Sequence, residues 1–124
     1  MKVLIADDSV QMRQALTYVI EAEPDMRVLA AASADEAVEL AAAHLPDVAV
    51  LDVHMPGNGV VAADRIRRVA PDARLIVLTG DATALSRPDC DRLGLSDFLV
   101  KGVPNATIIA AIRRAGGSRP AADA

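Results

Sequence analysis

Apolar residues follow two alternating patterns along this chain. Short unbroken runs occur at "KVLIA" (2–6), "RVLAAAS" (27–33), "DVAVLD" (47–52), "ARLIVLTG" (73–80) and "DFLVK" (97–101). Between them, apolar positions recur every three or four residues. The first pattern predicts strands buried on both faces, the second predicts helices. In "SVQMRQALTYVIEAE" (9–23), Met12, Leu16, Val19 and Ile20 share one face. Ser9 or Asp8 can cap that helix, and Pro24-Asp25 closes it. Ser33 and Glu36 form an S-x-x-E pair that opens a second helix, running to about His44. "GVVAADRIRRVA" (59–70) is a third, halted before Pro71. "PNATIIAAIRRAG" (104–116) is the last, with Pro104 in its first turn and Gly116 as its stop. Pro88 would break a helix begun at Asp81. The region 81–96 therefore predicts a short helix entered through Ser86-Arg87-Pro88 and ended at Gly94.

Five strands and five helices in strict alternation predict an α/β fold. Its parallel sheet carries helices on both faces, joined by right-handed crossovers. The tail "GGSRPAADA" (116–124) reads as a linker or flexible end, which leaves 1–115 as one domain.

Composition narrows the core chemistry. The chain has 124 residues, 52% hydrophobic but only 2% aromatic, so Val, Leu, Ile and Ala must fill the interior. A net charge of −4 gives no bulk attraction for nucleic acid or an anionic membrane. The one basic cluster, Arg113, Arg114 and Arg119, reads as a solvated helix end. A single cysteine, Cys90, permits no internal disulfide and fits a cytoplasmic setting. Its neighbours Asp89 and Asp91 disfavour a reactive thiolate. No apolar run reaches membrane-spanning length, and no signal peptide opens the chain.

Candidate chemistry lies where the strands stop. The first ends in Asp7-Asp8, the third in Asp52, the fourth in Thr79 and the fifth in Lys101. Open parallel sheets bind ligands outside the carboxyl ends of their strands, where the winding reverses. With strand order 2-1-3-4-5, strands one and three are neighbours about 4.8 Å apart. Three carboxylates then converge on one crevice, flanked by a hydroxyl and an ammonium. Three acids so close need a counter-charge, and a hard divalent cation such as Mg²⁺ provides it. The gap left between the metal acids and the Thr79/Lys101 pair suits a phosphoryl group. Asp52 sits best to accept one as a nucleophile. Taken singly, each feature has a plainer meaning: Asp-Asp caps a helix, and Asp52 before "HMPG" starts a turn. Their joint placement at four strand ends favours a site.

These residues resemble the receiver domain of two-component response regulators. "LIADDS", "VAVLDVHMPG", "LIVLTG" and "DFLVKG" carry the likeness, which covers roughly residues 2–115. "YVIEAEPDMRVLAAAS", "PDVAVLDVHMPG" and "IIAAIRRA" look most like the NarL/FixJ type, whose members usually continue into a DNA-binding output domain. The resemblance implies the five-stranded flavodoxin-like receiver fold. It implies Asp52 as phosphoacceptor, charged by a sensor histidine kinase or phosphotransfer protein. Asp7, Asp8, Asp52 and the backbone carbonyl of His54 would hold Mg²⁺. Lys101 and Thr79 would contact the phosphoryl group. Thr79 and Phe98 would form the switch that reshapes the face of helix four, strand five and helix five for an output domain or a second copy. Such a chain is no conventional enzyme, although it catalyses its own phosphoryl uptake and loss.

The sequence departs from the usual pattern at Phe98, which replaces a tyrosine, at Gly102, which replaces a proline after Lys101, and in two segments. Gly59 follows Asp52 by seven residues where eight is commoner, and Pro88 shortens helix four. Two other readings stay in play, the first of them supported by these last two departures. One is an unphosphorylated docking or dimerisation module of the same fold. The other is a small Mg²⁺-dependent aspartyl phosphatase, which would normally carry an acid where His54 stands.

Overall fold

In β1 (Lys2–Ala6), Val3 and Ile5 face one way and Leu4 and Ala6 the other, and all four are buried. That two-sided burial sets the architecture of this computed structural model, which describes residues 1–117. The elements follow in order. After β1 come α1 (Val10–Glu21), β2 (Arg27–Ala31), α2 (Ala34–His44), β3 (Val48–Leu51) and α3 (Gly59–Val69). Then come β4 (Arg74–Thr79), α4 (Arg87–Leu93), β5 (Leu95–Val100) and α5 (Asn105–Ile112), which runs on into a π-type turn, Arg113–Gly117. All strands are parallel in the order β2-β1-β3-β4-β5. The expected fold is the one observed.

Two aliphatic layers enclose the sheet. On one face α1 and α5 bring Leu16, Ile20, Ile108 and Ile112 onto Val3, Ile5, Val50 and Ile76. On the other, α2, α3 and α4 bring Ala37, Ala62, Ile66 and Leu93 onto Leu4, Leu51 and Leu75. The outer edge of β2 carries its own protection. Its outward N–H groups at Val28 and just past the strand at Ala32 donate to the carboxylates of Glu21 and Glu36. Strand addition there meets groups already occupied.

Several local expectations change. Ser9, not Asp8, caps α1, accepting from the Met12 N–H at 3.1 Å. The S-x-x-E pair is only half a box. Ser33 accepts from Glu36 N, but Glu36 reaches back to Ala32 instead of Ser33. Pro104 is the cap residue of α5, one position before its first turn. The stop expected at Gly116 is absent, because helical turns run through it. A Cβ there would lie 2.6 Å from Val48 Cγ2, so Gly116 serves close packing under the sheet. Arg113 is partly and Arg114 largely solvent-exposed, as expected of a helix end, but both are also paired. Arg113 bonds Glu23 and Asp25 of the α1–β2 turn, and Arg114 bonds Asp97. The helix of seven residues at α4 is as short as Pro88 implied, with Gly94 in the left-handed region at its end. Arg119 and most of the expected linker, residues 118–124, lie outside the described residues. No helix among the described residues is long and apolar enough to cross a membrane.

Candidate functional site

Three of the chemical residues are each fixed by a backbone bond made just past the strand. Asp7 N donates to Ala31 O, Asp52 N to Ala6 O, and Lys101 N to Thr79 O. The ladder thus extends one residue further at β1, β3 and β5, and aims three side chains into the crevice where the winding reverses. Asp7, Asp52 and Thr79 are the buried polar residues found there, while Asp8 is exposed at the mouth.

The gap expected between acids and lysine is closed. Lys101 Nζ lies 2.7 Å from Asp7 Oδ2 and 2.8 Å from Asp52 Oδ2, bridging both. The other oxygens accept backbone N–H groups: Asp7 Oδ1 from Ser9 at 2.9 Å, Asp52 Oδ1 from His54 at 3.1 Å. Burial pushes the Asp52 carboxyl up, but the Lys101 hydrogen bond, the His54 amide and the ammonium charge outweigh it and hold it below 3.8. Burial likewise pulls Lys101 down, and the two carboxylates more than reverse this, raising it above 10.5. Asp52 is therefore a carboxylate at neutral pH, as a nucleophile must be.

Asp8 makes no hydrogen bond or ion pair among the described residues. One carboxylate oxygen from each of Asp7, Asp8 and Asp52 lies within 4.8 Å of the others. Three carboxylates and one ammonium leave two negative charges uncompensated. An all-oxygen donor set with that charge, open to water at Asp8, fits a small hard divalent cation.

Thr79 and Phe98 occupy the expected strands. Thr79 pairs with Val100 and Phe98 with Val77, so both side chains project from the sheet face that α4 covers. Thr79 is wholly buried, and its hydroxyl accepts from Asp81 N at 3.3 Å. Phe98 is half-buried, with no bond to the acid cluster. Two contacts were not foreseen. His54 Nε2 meets Asp81 Oδ2 at 3.5 Å across the pocket mouth, and Arg13 donates to the Asp7 carbonyl at 2.7 Å. The first joins the residue whose carbonyl the resemblance placed at the metal to an acid of the loop after β4. The second had no signal beyond a basic residue one turn into α1.

Gly59 marks where the shortened loop closes. A Cβ there would collide with the Asp52 carbonyl oxygen and come within 2.8 Å of its carbon and of Val53 Cα. The obstruction is backbone, which cannot move aside. Gly59→Ala is expected to destabilise the fold by about 2 kcal/mol, as overpacking does. A urea melt indistinguishable from wild type would contradict that packing.

A doubly wound parallel sheet with an acid-and-lysine pocket at its point of reversal defines an α/β domain whose polar site lies at the carboxyl ends of its strands. The chain belongs to the response regulator receiver domain family, which it matches over residues 3–113. It is 32% identical over 124 residues to the DNA-binding transcriptional activator DevR/DosR of Mycobacterium tuberculosis, with 98% of this chain and 57% of that protein covered. That relative agrees with the NarL/FixJ likeness. The response regulator domain of Thermotoga maritima CheB superposes with a TM-score of 0.83 at 32% identity, covering 97% and 98% of the two chains. A Burkholderia pseudomallei response regulator superposes at 0.80 with 27% identity, covering 90% of this chain and 65% of its own. Its structure holds a phosphorylated aspartic acid, a calcium ion and citrate. The chain spans about half the length of the DevR/DosR-type relatives it matches.

Proposed function

We propose that this receiver domain accepts a phosphoryl group on Asp52 from a phosphohistidine of a sensor kinase or phosphotransfer protein, with Mg²⁺. The observation that carries the reading is the Lys101 ammonium spanning Asp7 and Asp52 at 2.7 and 2.8 Å. It ties the nucleophile, a metal acid and the phosphoryl-binding cation into one cluster. A carboxylate oxygen of Asp52 attacks phosphorus, the P–N bond of the donor breaks, and the donor imidazole takes up a proton. Hydrolysis reverses the state: water attacks phosphorus, the carboxylate leaves, and inorganic phosphate departs.

A divalent cation held by Asp7, Asp8, Asp52 and the His54 carbonyl would supply positive charge against the phosphoryl oxygens. Lys101 has two carboxylate contacts to give up and one new dianionic partner to gain. Thr79 can turn its hydroxyl proton toward that partner, exchanging the Asp81 N–H contact for a stronger charge-assisted bond. Phe98, on the same sheet face, would fill the space so vacated. The α4–β5–α5 face then changes shape for a second copy or an output domain in a longer protein. The phosphorylated aspartic acid in the Burkholderia relative supports aspartyl phosphorylation as the chemistry of this chain. Transcriptional output, suggested by DevR/DosR, would belong to residues outside 1–124.

Incubation with acetyl phosphate and MgCl₂ tests this. Intact mass should rise by one phosphoryl group, and a chelator should prevent it. A wild-type chain that gains nothing would be a docking module only. Turnover of p-nitrophenyl phosphate far beyond one equivalent would make it a phosphatase instead.

A further inference from the structure

Asp7 is held at four points: its N–H by Ala31 O, one carboxylate oxygen by Ser9 N, the other by Lys101, and its carbonyl by Arg13 Nη1 at 2.7 Å. Asp8 has no such bond of its own. Yet both must present oxygens within 4.8 Å of one another and of Asp52. The Asp7 carbonyl and the Asp8 N–H share one peptide plane, so fixing the first fixes where the Asp8 Cα stands and narrows the directions open to its side chain. Among the described residues, the one bond recorded on that plane comes from Arg13.

We infer that Arg13 is a positioning residue for the metal acids, holding the Asp7–Asp8 peptide so that Asp8 faces the Mg²⁺ site. The inference rests on the proposed reading of that site. Arg13 itself sits on the first turns of α1, where Ser9 O accepts its N–H, and its guanidinium reaches back over the strand end. Its charge alone would oppose a cation at the acids. Geometry and charge therefore predict opposite signs, and affinity can separate them.

The test is Mg²⁺ titration by calorimetry on the full chain, with Arg13→Met and Arg13→Lys beside wild type. Loss of a supporting hydrogen bond of this kind weakens metal binding by about tenfold. Arg13→Met should show that loss, and Arg13→Lys should recover most of it. The acetyl phosphate rate at saturating Mg²⁺ should stay near wild type, with only the half-saturating Mg²⁺ shifted. The Asp8 amide in a ¹H–¹⁵N spectrum should move in Arg13→Met before any Mg²⁺ is added, which also checks that the variant is folded. Unchanged or tighter Mg²⁺ binding in Arg13→Met overturns the role of Arg13 and leaves the site intact. No Mg²⁺ heat from wild type overturns the site and this role together.

Discussion

Asp52→Asn is expected to abolish phosphoryl uptake while leaving the fold in place. The asparagine side-chain oxygen can still accept the His54 N–H bond that Asp52 Oδ1 accepts now. Lys101 keeps its 2.7 Å contact with Asp7, so the ammonium is not stranded. One hydrogen bond to Lys101 is lost, together with one of three mutually repelling charges, and the net change in stability should be within about 1 kcal/mol. Chemistry suffers far more. An amide has no anionic oxygen to attack phosphorus, so no acyl phosphate forms. The measurement is intact mass after acetyl phosphate treatment, paired with a thermal melt. Equal labelling of wild type and Asp52→Asn would mean that Asp7, Asp8 or another acid is the acceptor, and the assignment would fall.

The same cluster shows what a one-dimensional reading can reach. Strand order and the convergence of Asp7, Asp52, Thr79 and Lys101 were legible because each lies at the polar end of an apolar run. Topology then fixes where such ends meet. What the sequence hid was distance. Lys101 was expected across a gap from the acids, but its four-carbon stem lets the ammonium fall directly onto Asp7 and Asp52. Side-chain reach of that kind leaves no periodic trace. The Arg13 contact to the Asp7 carbonyl was hidden for the same reason, and so was Arg113 bonding Glu23 and Asp25 across 90 and 88 residues. Gly116 misled in the opposite direction. A glycine near a helix end usually marks its stop, whereas here the missing Cβ makes room for Val48.

Lys101→Ala should destabilise the protein at neutral pH by roughly 3 kcal/mol, because it leaves two buried carboxylates without their cation. The estimate is at the low end for a buried pair, since the lysine side chain is 24% exposed and water can partly replace it. The pH dependence carries the sign. In wild type, burial raises the Asp52 carboxyl but Lys101 and His54 hold it below 3.8. Its stabilising contribution is therefore present above that value and is lost as pH falls through the lower folded value. Lys101, raised above 10.5, contributes stability that is complete below 10.5 and is lost as pH rises through its folded value. Removing the lysine takes away two of the causes that lower Asp52 and leaves burial opposed only by the His54 amide and Asp7, so protonation relieves the cluster more readily. The variant should gain stability on acidification where wild type loses it. The gap between their melting temperatures should be widest near pH 7 and narrow toward pH 4. Mg²⁺ should close much of that gap, because the ammonium no longer competes for Asp7 and Asp52 oxygens and the variant binds the cation more tightly. Melts across this pH range, with and without Mg²⁺, check both statements. A variant as stable as wild type at pH 7, or one that Mg²⁺ stabilises no more than wild type, would mean that Lys101 does not neutralise these acids.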